Sequence, residues 1–191
     1  MKANIANTLT WLRIAAIPVV VWCFFSDLHF ARPIAGAVFG LAAITDLLDG
    51  YVARRLGQTS KFGEFLDPVA DKLMVAVVLV LLVQADPRIA VALTAAVIIG
   101  REITVSGLRE WMALIGERQS VAVSFSGKVK TMLQMFGIGF MVYERETFGL
   151  PIYESGFVLL LVAAAMTLWS MFVYIRAAWP LMTEKRQDSA P

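Results

Sequence analysis

The sequence is poor in cysteine, histidine and charged residues. It has one cysteine, Cys23, and one histidine, His29, in 191 residues. The single cysteine excludes a disulfide within the chain. The single histidine argues against histidine acid–base chemistry and histidine-based zinc sites. Charged residues make up only 17% of the chain, against about a quarter in ordinary soluble domains, so the composition also argues against that class.

Apolar residues are abundant instead, accounting for 59% of the chain and giving a mean hydropathy of +0.71. Apolar runs close to the length that crosses a bilayer, about 20 residues, recur along the sequence. We therefore expect an all-α, polytopic membrane protein in which residues 1–191 form a single domain with about six transmembrane helices. The predicted spans cover approximately residues 9–25, 34–52, 68–83, 89–108, 131–143 and 156–179. The first apolar run is long and no small-residue cleavage site follows it, so we expect no cleavable signal.

Lysine and arginine are distributed unevenly between the two sides of these spans. The side of the N-terminus carries Lys2, Arg13, Arg54, Arg55, Lys61, Arg109, Arg118, Lys128, Lys130, Lys185 and Arg186. The opposite side carries Arg32, Arg88 and Arg145. Because cytoplasmic loops are enriched in lysine and arginine, we expect both termini to be cytoplasmic.

Four aspartates lie close together in this apolar chain, within the stretch DLLDGYVARRLGQTSKFGEFLDPVAD that runs from Asp46 to Asp71. Helical spacing places Asp46 and Asp49 on one face of a helix, and Asp67 and Asp71 on one face of the next. An aspartate at the centre of a membrane helix costs about 2.5–3.5 kcal/mol on insertion scales, so four of them need compensation. Divalent cations provide it, because carboxylate oxygens are the ligands that Mg²⁺ or Mn²⁺ prefers.

Simpler interpretations of these aspartates remain open from spacing alone. Asp67 precedes Pro68, which is an ordinary helix start with aspartate as the N-cap. Asp46 and Asp49 are also compatible with a solvated helix end. Asp86 precedes Pro87 with no other carboxylate nearby in sequence, and we predict only a cap there.

The stretch resembles the signature of the CDP-alcohol phosphatidyltransferases. That signature is Asp-x2-Asp-Gly-x2-Ala-Arg-x8-Gly-x3-Asp-x3-Asp, and the stretch matches it at every constrained position. The resemblance implies two Mg²⁺ or Mn²⁺ ions held by Asp46, Asp49, Asp67 and Asp71, with Asp71 also acting as the general base. It further implies that CDP-diacylglycerol is bound by Asn7, Thr10, Gly50, Ala53, Arg54, Ser60 and Gly63. Arg13 completes an Asn-x-x-Thr-x-x-Arg pattern common in that family; contact with substrate and snorkelling towards lipid headgroups are both open.

A second polar group begins at Arg101 and Glu102, inside the fourth predicted span. A cation at membrane depth should face a cavity or a partner, and a phosphate-bearing substrate is a natural occupant. The candidate acceptor-phosphate residues are Arg101, Arg109, Arg118, Lys128 and Lys130. A basic loop held by anionic lipid is the alternative for Arg118 and Lys130.

Four short segments resemble, within the family, the bacterial phosphatidylglycerophosphate synthases: Arg101-Glu102, Leu108-Arg109-Glu110-Trp111, Val121-Ala122-Val123-Ser124 and Gly127-Lys128-x-Lys130-Thr131. This resemblance implies transfer of a phosphatidyl group from CDP-diacylglycerol to sn-glycerol 3-phosphate with release of CMP. It also implies a homodimer in the bacterial cytoplasmic membrane, with the active site facing the cytoplasm. We expect no nucleic-acid partner.

Other functions remain as alternatives. A relative could use another acceptor, such as inositol phosphate, serine or phosphatidylglycerol. A membrane transporter is the candidate from a different class, but it predicts polar residues throughout the membrane depth and related halves. Here the acids cluster at one edge of the spans and the halves do not repeat. Prenyl transferases use paired Asp-Asp-x-x-Asp motifs, and the sequence has none.

Overall fold

The computed structural model describes residues 5–56, 61–116, 125–146 and 149–183. Within these ranges it describes all side chains except those of residues 5–7, 46–56, 61–62, 64, 125–128, 181 and 183. The described residues form six helices and no strand, which confirms the all-α prediction. The helices are α1 (Ile5–Phe24), α2 (Ala31–Leu56), α3 (Lys61–Ala85), α4 (Ile89–Leu114), α5 (Phe125–Tyr143) and α6 (Ile152–Thr183).

The helices extend past the apolar spans that the sequence predicts. The largest difference is in α3, which begins at Lys61, about two turns before the predicted start at residue 68. Asp67 and Pro68 therefore lie inside α3, so the helix-cap interpretation of Asp67 is wrong. The polar residues that lengthen α3 can continue its backbone hydrogen bonds outside an apolar environment, whereas hydropathy detects only the apolar part.

The helices alternate in direction. The described residues around the α1–α2, α3–α4 and α5–α6 connections lie at one end of the bundle. Arg32, at the start of α2, contacts Glu144 just after α5 through an Nε–Oε2 distance of 2.5 Å. Arg88, before α4, contacts Glu154 in the first turn of α6 at 3.2 Å. Arg145 donates a hydrogen bond to the carbonyl of His29. We call this the far end; the N-terminus of α3 and the C-terminus of α4 lie at the opposite end.

At the far end, the predicted capping role of Asp86 is wrong, because the N-cap residue of α4 is Arg88 and no side chain caps the helix. The Asp86 carboxylate instead accepts hydrogen bonds from the backbone N–H of Arg88 at 3.2 Å, from the Arg88 side chain and from the Tyr153 hydroxyl. The hydrogen bonds from Arg88 are the main reason that the pKa of Asp86 falls from 3.8 to about 2. This carboxylate thus ties the α3–α4 connection to α6.

The core lies between α1, α2, α3 and α5, with α4 and α6 contributing to the same apolar cluster. Its largest fully buried side chains include Phe39, Leu79, Leu82, Ile98, Ile138, Met141 and Leu160. The closest helix pair is α5 and α6. A Cβ on Gly137 of α5 would lie 2.9 Å from the Gly156 carbonyl oxygen and 2.9 Å from the Leu160 amide nitrogen. Only glycine permits this approach, a packing mode typical of membrane helices.

Two of the described helices, Ile89–Leu114 and Ile152–Pro180, are long and apolar enough to cross a membrane by length and composition. Shorter apolar stretches cover Thr8–Phe24 and Ala31–Thr45. Large apolar side chains also face outwards on several helices, including Trp11, Ile89, Ile103 and Trp169. Exposed apolar surface of this extent is unusual for a soluble monomer and is consistent with a membrane protein.

Candidate active site

Two carboxylates of α3 contact two polar side chains of α1. The hydroxyl of Thr10 donates a hydrogen bond to Asp67 Oδ1, and the guanidinium of Arg13 forms an ion pair with Asp71 Oδ1. Thr10 and Arg13 are three residues apart and Asp67 and Asp71 are four apart, so each pair spans about one helical turn on facing, parallel helices. The fold thus brings a threonine–arginine pair from the N-terminal helix onto two of the predicted metal-binding carboxylates.

This contact argues against one of the two interpretations of Arg13, that it snorkels towards lipid headgroups. The Arg13 side chain is 3% exposed and pairs with Asp71 inside the bundle. Removing one partner of a part-buried ion pair leaves the other charge less compensated, which destabilises the fold. Arg13 and Asp71 are therefore structurally dependent on each other, a relation that the sequence alone does not reveal.

A small pocket adjoins this ion pair and extends from it towards α2 and α5. It is lined by Arg13 and Asp71, with Phe39, Ala42, Ala43, Met74, Val75 and Met135. Asp71 is 32% exposed. Position 46 follows Ala42 by one turn of α2, and positions 49 and 50 follow about one turn later. The backbone of α2 therefore continues from the pocket wall directly into the Asp46–Arg54 segment.

Several predicted site residues are placed by backbone only or lie outside the described residues. Gly63 is buried in the first turn of α3, four residues before Asp67, where a small residue leaves room beside the carboxylate. The side chains of Asn7, Asp46, Asp49, Gly50, Ala53, Arg54 and Lys128 are outside the described set, although their backbones are helical. Ser60 and Arg118 lie outside the described residues altogether.

The described donor set suits a hard divalent cation. Asp67 and Asp71 supply carboxylate oxygens on one face of α3, and Asp71 is partly accessible from the pocket. Among the described side chains, no three of histidine, cysteine, aspartate and glutamate come close enough to hold a metal ion. Because that set omits the side chains of Asp46 and Asp49, the four-aspartate ligand set stays a prediction.

A second polar group lies on α4 and α5. Arg101 is buried and its Nη1 donates to Glu102 Oε1 at 2.6 Å, while its Nε has no hydrogen-bond partner among the described residues. Lys130 on α5 is also buried, within electrostatic range of Arg101, Glu102 and Arg109. Arg101, Glu102 and Lys130 thus form a group in which two buried cations accompany one described carboxylate, which favours an anion. Arg109 is exposed and its Nη2 donates to the Tyr174 hydroxyl at 3.1 Å.

The α3–α4 hairpin sets Asp71 and Arg101 at similar depth. The two helices are joined by residues 86–88 and run antiparallel. At 1.5 Å per residue, Asp71 lies about 21 Å along α3 from Ala85, and Arg101 about 18 Å along α4 from Ile89. The carboxylate group and the buried arginine are thus on neighbouring helices at nearly one level.

Sequence reasoning missed Lys72, which directly follows Asp71. Its ammonium donates a hydrogen bond to the Ser106 hydroxyl on α4. Ser106 in turn donates to the backbone carbonyl of Glu102 at 2.6 Å. The position of Lys72 beside the last motif aspartate was the available signal, but its partner is 34 residues away and is set by helix packing.

The chain is similar to proteins of known family along nearly its whole length. The sequence model of the family described as CDP-alcohol phosphatidyltransferase matches residues 3–173. A Yersinia pestis protein named CDP-diacylglycerol–glycerol-3-phosphate 3-phosphatidyltransferase is 47% identical over 184 residues, 96% of this chain and 100% of the relative. Proteins of the same name from Pseudomonas fluorescens and Pectobacterium atrosepticum are 48% identical over 187 residues (97% of this chain, 95% of the relative) and 47% identical over 178 residues (93% and 96%), respectively. The chain belongs to the CDP-alcohol phosphatidyltransferase family.

Proposed function

We propose that this protein transfers the phosphatidyl group of CDP-diacylglycerol to the primary hydroxyl of sn-glycerol 3-phosphate and releases CMP. Family membership and the names of the relatives support the reaction class and both substrates. The observation that carries the proposal is the placement of Asp71 on α3 at nearly the level of the buried Arg101 on α4, with Asp67 about one turn farther along α3. The α3 aspartates suit a metal-bound diphosphate, and the buried Arg101 suits the phosphate of the acceptor.

The proposed metal ligands are Asp46, Asp49, Asp67 and Asp71, holding two Mg²⁺ or Mn²⁺ ions. When bound, such ions clamp the diphosphate and stabilise the charge on the attacking and leaving oxygens. Thr10 and Arg13 keep Asp67 and Asp71 in fixed orientations from α1. These contacts from α1 pre-organise the two carboxylates for binding metal ions.

The acceptor hydroxyl attacks the phosphorus of the phosphatidyl group directly. A bond forms between the acceptor oxygen and that phosphorus, the bond from phosphorus to the CMP oxygen breaks, and the hydroxyl proton passes to the carboxylate of Asp71. Asp71 is suited to this step because it is partly exposed at a pocket rather than enclosed. The one cysteine, Cys23, is buried and remote from the motif in sequence. It is therefore unsuited to act as a nucleophile, and we assign no covalent enzyme intermediate.

The two substrates are assigned to different groups of residues. CDP-diacylglycerol is assigned to Asn7, Thr10, Gly50, Ala53, Arg54, Ser60 and Gly63. The acceptor phosphate is assigned to Arg101, Arg109, Arg118, Lys128 and Lys130. The buried Arg101 and Lys130 support the second assignment, because two buried cations within electrostatic range of each other favour a bound anion.

The proposed setting is a bacterial cytoplasmic membrane crossed by all six helices, with the active site and both termini on the cytoplasmic side and the chain forming a homodimer. The charge distribution supports this orientation. At the far end, Arg32 and Arg88 are each matched by a carboxylate, whereas the site end keeps an excess of cations. The acyl chains of the lipid substrate can remain in the bilayer beside α2 and α3.

The test is release of CMP by the purified protein from CDP-diacylglycerol in Mg²⁺, with a panel of acceptors. We expect turnover with sn-glycerol 3-phosphate and little with inositol phosphate, serine or phosphatidylglycerol. Turnover with another of these and not with glycerol 3-phosphate would overturn the acceptor assignment. Absence of CMP release with every acceptor would overturn the proposed function.

A further inference from the structure

Lys72 links the two halves of the proposed site. It lies on α3 immediately after Asp71, and its side chain is exposed. Its ammonium contacts Ser106 on α4, the helix that also carries Arg101. Neither the motif nor the second polar group includes Lys72, so its position requires a separate explanation.

The contact joins Lys72 to the part of α4 that carries Arg101. Ser106 donates to the backbone carbonyl of Glu102, and the Glu102 carboxylate accepts from Arg101 Nη1. An ammonium has three N–H donors, and Ser106 accepts one of them. Lys72 thus follows Asp71 directly on α3 and contacts α4 five residues after Arg101.

We propose that Lys72 binds the phosphate of the acceptor from the α3 side and sets the distance between that phosphate and the hydroxyl that attacks near Asp71. This inference rests on the proposed function and extends it to a specificity-determining residue. An acceptor with phosphate on one end and its reacting hydroxyl on the other must reach from Arg101 towards Asp71. A cation between Arg101 and Asp71 binds an acceptor that carries a phosphate better than it binds an acceptor without a phosphate.

The direction of the contact favours the acceptor over the nucleotide. Lys72 reaches α4, while the described residues assigned to CDP-diacylglycerol lie on α1, α2 and the first turn of α3. A bulk lipid headgroup would supply the same phosphate chemistry to an exposed lysine. The kinetic arms of the test separate these three sources.

The experiment compares Lys72→Gln, Lys72→Arg and Ser106→Ala with the wild-type protein in detergent micelles. Arg176→Gln is the matched control, because Arg176 is an exposed cation on α6 with no described ion pair and its loss changes the net charge equally. KM and kcat are measured for each substrate at saturation of the other. Dissociation constants for sn-glycerol 3-phosphate alone are measured by calorimetry.

For Lys72→Gln we expect KM and Kd for sn-glycerol 3-phosphate to rise about tenfold, the lower end for a charge-assisted contact, with KM for CDP-diacylglycerol unchanged. Lys72→Arg should keep most of the affinity, and Ser106→Ala should raise KM about two- to fivefold, the size of a single neutral hydrogen bond. Arg176→Gln should match the wild type.

Three results would overturn the inference. They are a larger rise in KM for CDP-diacylglycerol than for the acceptor, a fall in kcat alone, or the same change in Arg176→Gln, which would indicate a surface-charge or headgroup effect. If Lys72→Gln does not fold, Ser106→Ala still decides the matter, since an unchanged acceptor KM in that variant would contradict the contact. Wild-type protein that does not use sn-glycerol 3-phosphate would contradict the proposed function itself, whatever the variants do.

Discussion

Arg13 on α1 pairs with Asp71 on α3 across 58 residues of sequence. The Arg13 side chain is buried, whereas the Asp71 carboxylate is partly exposed at a pocket. The Asp71 carboxylate thus remains accessible from the pocket while Arg13 holds it in place.

The first prediction concerns this carboxylate. Asp71→Asn should lower the rate of CMP release by at least about 100-fold, because an amide cannot accept the proton of the acceptor hydroxyl. The fold should persist, since the amide oxygen still accepts a hydrogen bond from Arg13, although the melting temperature should fall. CMP release and thermal unfolding in detergent measure the two effects.

Asp27→Asn is the control for this change, because Asp27 is exposed in the α1–α2 connection and the substitution is chemically the same. It should leave both measurements unchanged. Normal CMP release from Asp71→Asn in excess Mg²⁺ would remove Asp71 from the chemistry.

The sequence predicts the helices well because long apolar runs leave few other structures possible in a membrane. It also predicts which α3 carboxylates share a face, since the spacing between Asp67 and Asp71 is local. It does not predict that Arg13 is their partner, or that Lys72 reaches Ser106. Those contacts depend on which helices are neighbours and at what height, information that local periodicity does not contain.

Helix boundaries show the same limit. Hydropathy locates the apolar part of α3 but not its start at Lys61, because polar residues extend a helix without changing its apolar signal. The Asp67-Pro68 pair therefore looked compatible with an N-cap, although it lies almost two turns inside the helix.

The second prediction tests the α5–α6 contact. Gly137→Ala should destabilise the fold by about 1–3 kcal/mol, because the new Cβ would meet backbone atoms of Gly156 and Leu160 at 2.9 Å. Gly107→Ala is the matched control, since a Cβ there meets nothing within 4 Å and alanine favours a helix. Unfolding of both variants in detergent gives the comparison. Equal stability of Gly137→Ala and wild type would contradict the close packing.

The third prediction concerns pH and the far end of the bundle. The pKa of Asp86 is lowered to about 2 in the folded protein, from an ordinary 3.8, chiefly by hydrogen bonds from Arg88. A lowered carboxylate pKa contributes stability that is fully present above pH about 4 and is lost as pH falls towards 2. Asp86→Asn should therefore be less stable than wild type near neutral pH, and the gap should narrow below pH about 4.

Thermal unfolding of both proteins between pH 2.5 and 6, in one detergent, would measure that gap. Asp27→Asn again provides the control, with no change expected in its difference from wild type. A gap for Asp86→Asn that stays constant down to the lowest pH would show that the Asp86 carboxylate does not stabilise the far end.

The fourth prediction concerns orientation. In a Cys23→Ala background, a cysteine at Ser26 should react with a membrane-impermeant reagent from outside intact cells, and a cysteine at Ser60 should react only after the membrane is opened. Ser26 lies in the α1–α2 connection at the far end, and Ser60 is the residue before Lys61 in sequence, where α3 begins at the opposite end. The charge excess at the site end gives the direction. The reverse labelling pattern would place the site, and CMP release, outside the cytoplasm.

The last prediction separates the two substrate groups. Arg101→Gln should weaken sn-glycerol 3-phosphate by about 10- to 150-fold in apparent affinity, the range of a charge-assisted contact, and should affect CDP-diacylglycerol less. Arg54→Gln should show the opposite bias, because Arg54 is assigned to the nucleotide side. Steady-state kinetics with each substrate varied in turn distinguish the two patterns.

Arg101 is the sharper of the two positions, because it is buried and its Nε has no hydrogen-bond partner among the described residues. Buried N–H donors in proteins are nearly always hydrogen-bonded, and the phosphate of the acceptor would supply a partner for this one. Equal losses for both substrates in Arg101→Gln would indicate that its pair with Glu102 is structural. No loss for glycerol 3-phosphate, together with turnover of serine or inositol phosphate, would contradict the acceptor assignment while leaving family membership intact.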